Sequence, residues 1–175
     1  VLLRQLDAGP LSGWLSYTFA VSQRTQSGTG YWPGHDRRHN VNLVGTWRAG
    51  RKYTFGARLG VASGTPFTDI VGQVVRRAYD PSTHGYGTGG LAGEREPLGG
   101  VRNAERYPLF QRLDLSVSRA GTWRGMQLVP YFSLVNAYNA KNVFIYTFDY
   151  TRTPPTREAA SQFPLLPSLG LTIGF

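Results

Sequence analysis

The last nine residues, Pro167 to Phe175, alternate between two kinds of side chain and end on a phenylalanine. One kind is apolar: Leu169, Leu171, Ile173 and Phe175. The other is small or polar: Ser168, Gly170, Thr172 and Gly174. Because successive side chains of a β-strand point to opposite faces, this segment predicts a strand with one apolar and one polar face. Transmembrane β-barrels need such strands, although an edge strand of a soluble sheet alternates in the same way.

The same alternation recurs along the chain, and it predicts strands at residues 1–5, 13–22, 39–48, 53–62, 112–118, 127–135 and 167–175. The pattern at 143–148 is interpreted as an extension of the strand at 127–135. Short turns and long loops alternate between these strands, as short periplasmic turns and long external loops do in barrels. We therefore predict an all-β fold, an antiparallel transmembrane β-barrel segment of about seven meandering strands within a larger barrel.

The composition agrees with this fold class. The 22 glycines, 10 tyrosines and 4 tryptophans favour a β protein with long turns. No apolar run approaches the length of a membrane-spanning helix. The mean hydropathy of −0.28 is compatible with a barrel, because only alternate strand residues face lipid. The chain starts inside a predicted strand, so we expect residues 1–175 to be the C-terminal portion of a longer barrel domain.

The net charge of +9 raises the question of a polyanionic partner. The arginines are scattered through strands, turns and loops and form no basic stripe with interleaved stacking aromatics, which argues against nucleic-acid binding. A basic exterior would suit the phosphate-bearing lipopolysaccharide surface of a Gram-negative cell, or an anionic solute. The absence of cysteine excludes disulfides and thiolate metal sites from this chain.

Several motifs occur in a fixed order along the chain. They are Gly13-Trp14-Leu15-Ser16-Tyr17-Thr18, Asp36-x-x-His39-x-Val41-Asn42-Leu43, Ser63-Gly64-Thr65-Pro66-Phe67-Thr68, Arg106-Tyr107-Pro108 with Arg112-Leu113-Asp114-Leu115, Val135-Asn136-x-x-Asn139-x-x-Asn142, and Pro164-x-x-Pro167-Ser168-Leu169-Gly170. Together, over nearly the whole chain, they resemble the last part of a TonB-dependent outer-membrane receptor. The final segment also resembles the C-terminal signal by which outer-membrane proteins are recognised for barrel assembly.

The resemblance implies a twenty-two-stranded barrel plugged by an N-terminal domain, to which this chain would contribute roughly the last seven strands. It implies integral placement in the outer membrane of a Gram-negative bacterium and uptake of a scarce ligand, such as a siderophore, cobalamin or a sugar. The implied partners are outer-membrane lipid and lipopolysaccharide, the upstream plug and barrel strands, TonB through the plug, and the barrel-assembly machinery. No cofactor is expected.

Three sets of residues are predicted to serve such a barrel. Polar side chains expected to face the lumen are Asn42, Arg58, Arg112 and Asp114. For the three charged ones, Arg58, Arg112 and Asp114, a structural ion-pair role is favoured. Aromatic side chains expected at the membrane interface are Trp47, Tyr53, Trp123 and Phe175. Candidates for ligand contact in the external loops are Tyr31, Trp32, His35, Tyr86 and Tyr107. The assembly signal would comprise Leu169, Leu171, Ile173 and Phe175.

Other kinds of site receive less support from the sequence. A metal could be bound by His35, Asp36 and His39, with His84 as a further ligand. The favoured interpretation is that Asp36 organises the turn and that the histidines lie at the rim of the barrel. The glycine-rich segment 87–90 lacks the Lys-Ser/Thr pair of a phosphate-binding loop. No arrangement resembles a nucleophile with its base, so we expect no enzyme.

Two alternative functions stay open from the sequence. The first is a porin-like barrel without a plug. The second is a secreted β-sandwich that binds carbohydrate through exposed Trp and Tyr side chains. A sandwich would bury one face of each strand in a dry core between its sheets. The face opposite the apolar one is polar here, with Ser16, Thr18, Asn42, Arg58 and Asp114, and this disfavours the sandwich.

Overall fold

The computed structural model describes residues 1–6, 9–75, 79–86, 95–149, 152 and 156–175. These residues form strands and no helix, and therefore no helix that could cross a membrane. In chain order the strands are β1 (Leu2–Gln5), β2 (Leu11–Phe19), β3 (Arg24–Gln26), β4 (Thr29–Tyr31), β5 (His39–Ala49), β6 (Tyr53–Ala62), β7 (Pro66–Phe67), β8 (Ile70–Val75), β9 (Tyr79–Asp80), β10 (Gly85–Tyr86), β11 (Arg95–Gly99), β12 (Glu105–Arg106), β13 (Phe110–Arg119), β14 (Gly121–Trp123), β15 (Met126–Val135), β16 (Val143–Asp149), β17 (Thr156–Ser161) and β18 (Leu166–Gly174). The predicted all-β class is confirmed.

One large antiparallel sheet contains the long strands, in the order β1-β2-β5-β6-β13-β15-β18. Each strand therefore pairs with the next long strand along the chain, so the predicted meander is present. β14 follows β13 and pairs with the beginning of β15. The outer edges of β1 and β18 have no partner strand among the described residues, and the sheet is not closed.

The two ends of this sheet differ in their connections. Short connections join β1 to β2, β5 to β6 and β14 to β15 at one end, which we call the short-turn end. Between β14 and β15, Arg124 (φ 49°) and Gly125 (φ 83°) both adopt positive φ, as a tight type I′ hairpin turn requires. The connections at the other end, residues 20–38, 63–109 and 136–165, are long, and we call this the long-loop end.

The long connections contain strands that the alternation did not predict. They form five two-stranded antiparallel sheets, which pair β3 with β4, β7 with β12, β8 with β11, β9 with β10 and β16 with β17. Residues 143–148 therefore do not lengthen β15, and that prediction is wrong. Asn136 and Asn139 adopt positive φ (55° and 54°) after β15, and the chain leaves the sheet there to form the separate hairpin of β16 and β17.

The register places apolar side chains in continuous rows across one face of the sheet. One such row is Leu11, Trp47, Phe55, Val117, Phe132 and Leu169, each directly opposite the next on the neighbouring strand. Trp47 is 51% exposed and Leu169 is 81% exposed. Among the described residues, the only buried apolar ones are Pro33, Ala62 and Pro66. The apolar face is therefore uncovered, and the sheet has no apolar core of its own.

The opposite face carries rows of small and polar side chains. One such row consists of sequence neighbours of the apolar row just described: Ser12, Thr46, Gly56, Ser116, Ser133 and Ser168. A Cβ atom at Gly56 would overlap the Ser116 hydroxyl, so a larger residue here would force the Ser116 side chain to move. Both faces of the predicted strands thus have the chemistry that the alternation indicates, apolar on one side and polar on the other.

Candidate functional site

A polar cavity of about 330 Å³ lies at the long-loop end of the polar face. β5, β6 and β13 supply Asn42, Arg58, Arg112 and Asp114, and the loop before β5 adds Arg37. The four side chains predicted to face a lumen are thus brought together on one face. Their placement follows from the register, because Arg58 and Asp114 are direct cross-strand neighbours.

The charges of this cavity do not balance. The Asp114 carboxylate accepts hydrogen bonds from Arg112 Nε (3.1 Å) and from the backbone N–H of Asn136 (3.0 Å). The Arg112 pair confirms the expected structural ion pair, with Nη2 at 3.0 Å from Oδ2. Arg58 does not join it and forms no ion pair within the described residues, while the Arg37 guanidinium lies 5.6 Å from the centre of the Phe110 ring. Three arginines and one aspartate thus line the cavity, and this excess of positive charge favours an anionic guest.

A second polar centre holds the loops together above the sheet. The Asp36 carboxylate is 1% exposed, and its Oδ1 accepts a hydrogen bond from the Ser22 backbone N–H at 2.8 Å. Its Oδ2 contacts the Arg106 guanidinium and lies 3.7 Å from Arg38 Nε. Arg106 Nη1 also donates to the backbone oxygens of Asp36 (3.0 Å) and Gly64 (3.1 Å). Asp36 therefore organises its turn, as the sequence indicated, and it also joins loop 20–38 to loop 63–109.

The ionisation of Asp36 follows from these contacts. Burial by itself raises the pKa of this carboxyl group, but the Ser22 hydrogen bond and the guanidinium groups of Arg106 and Arg38 outweigh it and hold the pKa below its ordinary value. The folded state therefore favours the charged form, and this contribution to stability is present above the ordinary pKa of 3.8.

We expect acid to remove that contribution. As the pH falls below 3.8 through the lower pKa of the folded protein, Asp36 takes up a proton in the folded state and the free energy of unfolding decreases. The Asp36→Asn variant cannot titrate there, so its stability should depend less steeply on pH than that of the wild type. Urea unfolding of both full-length proteins across this range measures the difference. Equal slopes would contradict the assignment.

An aromatic cluster joins loop 63–109 to the β16–β17 hairpin. The Phe67 and Tyr107 rings stack with centroids 4.5 Å apart, and Tyr146 lies 5.2 Å from Tyr107. The Arg157 guanidinium covers Tyr146 at 4.3 Å and pairs with Asp69 at 3.3 Å. Sequence reasoning did not find Tyr146 or Arg157, because nothing in a strand pattern indicates which loop side chains meet.

The five ligand candidates from the sequence do not converge on one site. Tyr31 lies under the Arg102 guanidinium at 3.8 Å, and Trp32 lies under Arg38 at 4.7 Å. Tyr107 belongs to the aromatic cluster, and Tyr86 contacts Tyr79 on the separate β9–β10 hairpin. His35 is exposed in the turn beside Asp36. Tyr31 and Tyr107 thus contribute to packing between loops, and Trp32 to packing within loop 20–38.

The three histidines lie apart in different settings, and His39 has aromatic partners. His39 Nδ1 lies 2.9 Å from the Tyr17 hydroxyl, and its ring is tilted against Phe19. His84 lies at a turn, with φ 53°. In the part of the chain that the structure describes, no three or more His, Asp or Glu side chains form a group that could hold a metal ion. The glycine-rich segment 87–90 lies outside the described residues.

The side-chain amides of the three asparagines after β15 form hydrogen bonds with backbone groups elsewhere in the loops and strands. Asn142 Oδ1 accepts from the Gln111 N–H (2.9 Å) and its Nδ2 donates to the Gln111 carbonyl (2.8 Å), as a neighbouring strand would. Asn136, 1% exposed, bonds through its amide to Ala140 and to the Phe163 carbonyl. Asn139 Oδ1 accepts from the Leu165 N–H at 3.1 Å. Their spacing of three residues is visible in the sequence, but the sequence alone did not indicate these hydrogen bonds.

The aromatic residues predicted for a membrane interface lie together at the short-turn end. Trp47 stacks on Phe55 with centroids 5.3 Å apart. Arg119 lies 5.9 Å from the centre of the Tyr53 ring, and Arg124 lies 4.8 Å from that of Trp123. Phe175 is fully exposed, and the apolar residues of β18 are about half exposed or more.

Comparison of the chain with protein families, with curated proteins and with solved structures gives no match.

Proposed function

We propose that this chain is part of the barrel of a TonB-dependent receptor in the outer membrane of a Gram-negative bacterium, and that the receptor takes up a scarce ligand. One observation carries the proposal: a single meandering sheet has a continuous, uncovered apolar face on one side and a polar, glycine-containing face on the other. Contiguous apolar surface on this scale marks contact with a membrane or a partner. The assignment to the TonB-dependent class of receptors rests on the resemblance of the ordered sequence motifs.

The sheet edges support a larger closed barrel. In lipid, each backbone N–H and C=O group needs a partner within the protein, because there is no water to bond it. The outer edges of β1 and β18 are unpaired within the described residues. Further strands are therefore required to close the sheet, and the polar face with its cationic cavity would then line the lumen.

The placement of the loops supports a receptor role. The three long connections lie at one end of the sheet, where Asp36 with Arg106, and Phe67 with Tyr107 and Tyr146, join them into one layer. In the proposed orientation this layer faces the outside of the cell. It would meet an arriving ligand before the polar cavity beneath it does.

Lipid contact can be tested residue by residue. The chain has no cysteine of its own. Single cysteines introduced into it, in a full-length protein freed of any other cysteine, can therefore carry a nitroxide label at a known position. On β5 we expect Leu43→Cys to be accessible to oxygen, which concentrates in lipid, and its neighbour Asn42→Cys to be accessible to a water-soluble nickel reagent. The alternation should continue at Thr46 and Trp47, since successive strand residues change face.

The same experiment separates the alternatives. A protein recovered in the outer-membrane fraction, with a gel mobility that changes on boiling and with alternating label accessibility, supports the barrel. A soluble protein in which the Leu43 label meets neither reagent would overturn it and favour a sandwich, whose second sheet would cover the apolar face. A barrel that conducts small solutes without TonB would instead indicate the porin-like alternative.

A further inference from the structure

Positive charge is concentrated at the short-turn end of the sheet. Six basic residues lie near the turns that join β1 to β2, β5 to β6, and β13 through β14 to β15: Arg4, Arg48, Arg51, Lys52, Arg119 and Arg124. Asp7 is the one acidic residue in the same segments of the sequence. Within the described residues, Arg51, Lys52, Arg119 and Arg124 form no ion pair. This end of the sheet therefore carries an excess of basic over acidic residues, which attracts anions.

The long-loop end differs in this respect. Three of its acidic residues pair with arginines: Asp36 with Arg106, Asp69 with Arg157, and Asp149 with Arg152. Charges there hold loops together. The unpaired cations of the short-turn end have no such role, and an external anion is the partner that their charge fits.

The order of side chains along β6 gives the location of that anion. Toward the turn, Leu59 is followed on the same face by Phe55 and then Tyr53, and Lys52 and Arg51 come next. A strand rises about 3.4 Å per residue, so aliphatic, aromatic and cationic side chains succeed one another within about 25 Å. Acyl chains, the interface and the phosphates of one bilayer leaflet follow the same order.

A groove of about 760 Å³ opens among these cations. Its basic side is lined by Arg51, Lys52 and Arg119, and its apolar side includes Leu128, Pro130 and Leu171. The groove lies where the ladder between β13–β14 and β15 is interrupted, between the Ser118–Tyr131 and Gly121–Leu128 pairs. Pro130 lies in this gap and has no N–H to continue the ladder.

We propose that this groove binds an anionic glycerophospholipid from the leaflet at the short-turn end. Arg51, Lys52 and Arg119 contact the lipid phosphate, and Leu128, Pro130 and Leu171 contact the first part of an acyl chain. The proposal rests on the proposed function, because the apolar face must meet a membrane. A free phosphate would use only the basic half of the groove, so the apolar half favours a lipid as the occupant.

The test compares lipid binding to two matched variants of the full-length protein in neutral detergent. Arg51→Gln/Lys52→Gln removes two cations from the groove, and Arg24→Gln/Lys141→Gln removes two exposed cations at the long-loop end. Native mass spectrometry measures the apparent Kd of phosphatidylglycerol, with phosphatidylcholine and inorganic phosphate as comparison probes. A basic residue near a lipid phosphate contributes about fivefold to affinity, so the groove variant should bind phosphatidylglycerol roughly thirtyfold more weakly.

We expect the control variant to bind as the wild type does, and added salt to weaken wild-type binding, since salt screens exposed charges. Equal binding of phosphatidylglycerol and phosphatidylcholine, or an equal loss in both variants, would overturn the lipid site. Competition by inorganic phosphate at the same concentration would indicate a phosphate site without lipid. If the nitroxide labels still report lipid on the apolar face, such results refute this site alone and leave the barrel standing.

Discussion

The Asp36→Ala variant should lose about 3 kcal/mol of unfolding free energy, which is the lower end of the range for breaking a buried ion pair. The substitution removes the acceptor of the Ser22 N–H and leaves the Arg106 guanidinium without its carboxylate. Arg106 is 27% exposed, so water recovers part of the loss. Loops 20–38 and 63–109 should separate first, because this contact joins them.

Two measurements check this effect on the full-length protein. Urea unfolding gives the free energy, and the rate of trypsin cleavage after Arg37 and Arg38 reports on the loop itself. The Asp36→Ala/Arg106→Met double variant serves as the control, because it leaves no buried charge unpaired. It should recover part of the stability. A double variant less stable than the sum of both single changes would contradict the pairing.

The Gly64→Ala variant should cost about 3 kcal/mol as well, for a steric reason. A Cβ atom at this position would overlap the backbone carbonyl of Tyr107 and would lie 3.0 Å from that of Pro108. A backbone group cannot rotate out of the way as a side chain can. The added methyl group should therefore distort the β7–β12 pairing and the 3.0 Å hydrogen bond from the Tyr107 N–H to the Thr65 carbonyl. Overpacking of this kind usually costs about 1–3 kcal/mol, and occasionally more.

The matched control for this variant is Gly34→Ala. Nothing lies within 4 Å of a Cβ atom at Gly34, so the same chemical change should alter the free energy of unfolding by less than about 0.5 kcal/mol. Thermal unfolding of both variants under the same conditions measures the contrast. Similar losses in the two would show that the approach of Gly64 to Tyr107 is unimportant. Because Arg106 contacts both Asp36 and Gly64, we expect Gly64→Ala and Asp36→Ala to be non-additive.

Strand positions and faces were predictable from the sequence because alternation is a local signal. The strand predicted at 112–118, for example, extends from Phe110 to Arg119. The register then placed Arg58 opposite Asp114, which brought the predicted polar residues together. The ion-pair partner of Asp114 could be identified only from the structure, because Arg112 and Arg58 are equally plausible partners from the sequence.

The loop layer could not be predicted in this way. Asp36 and Arg106 are 70 residues apart, and Arg157 and Asp69 are 88 apart. Pairing at such distances depends on how three connections fold over the end of the sheet, and no periodicity encodes that. The same limit explains the wrong prediction for residues 143–148, where alternation identified a strand but not its partner, β17.

The meander has a consequence for how a sheet of this kind changes size. Each long strand bonds only to the long strands immediately before and after it in the chain. A duplicated hairpin inserted between two such strands would find the same backbone partners on both sides and would disturb no distant pairing. A gene encoding this architecture can therefore gain or lose strands two at a time, and sheets of different width become accessible without a change in how the remaining strands pair.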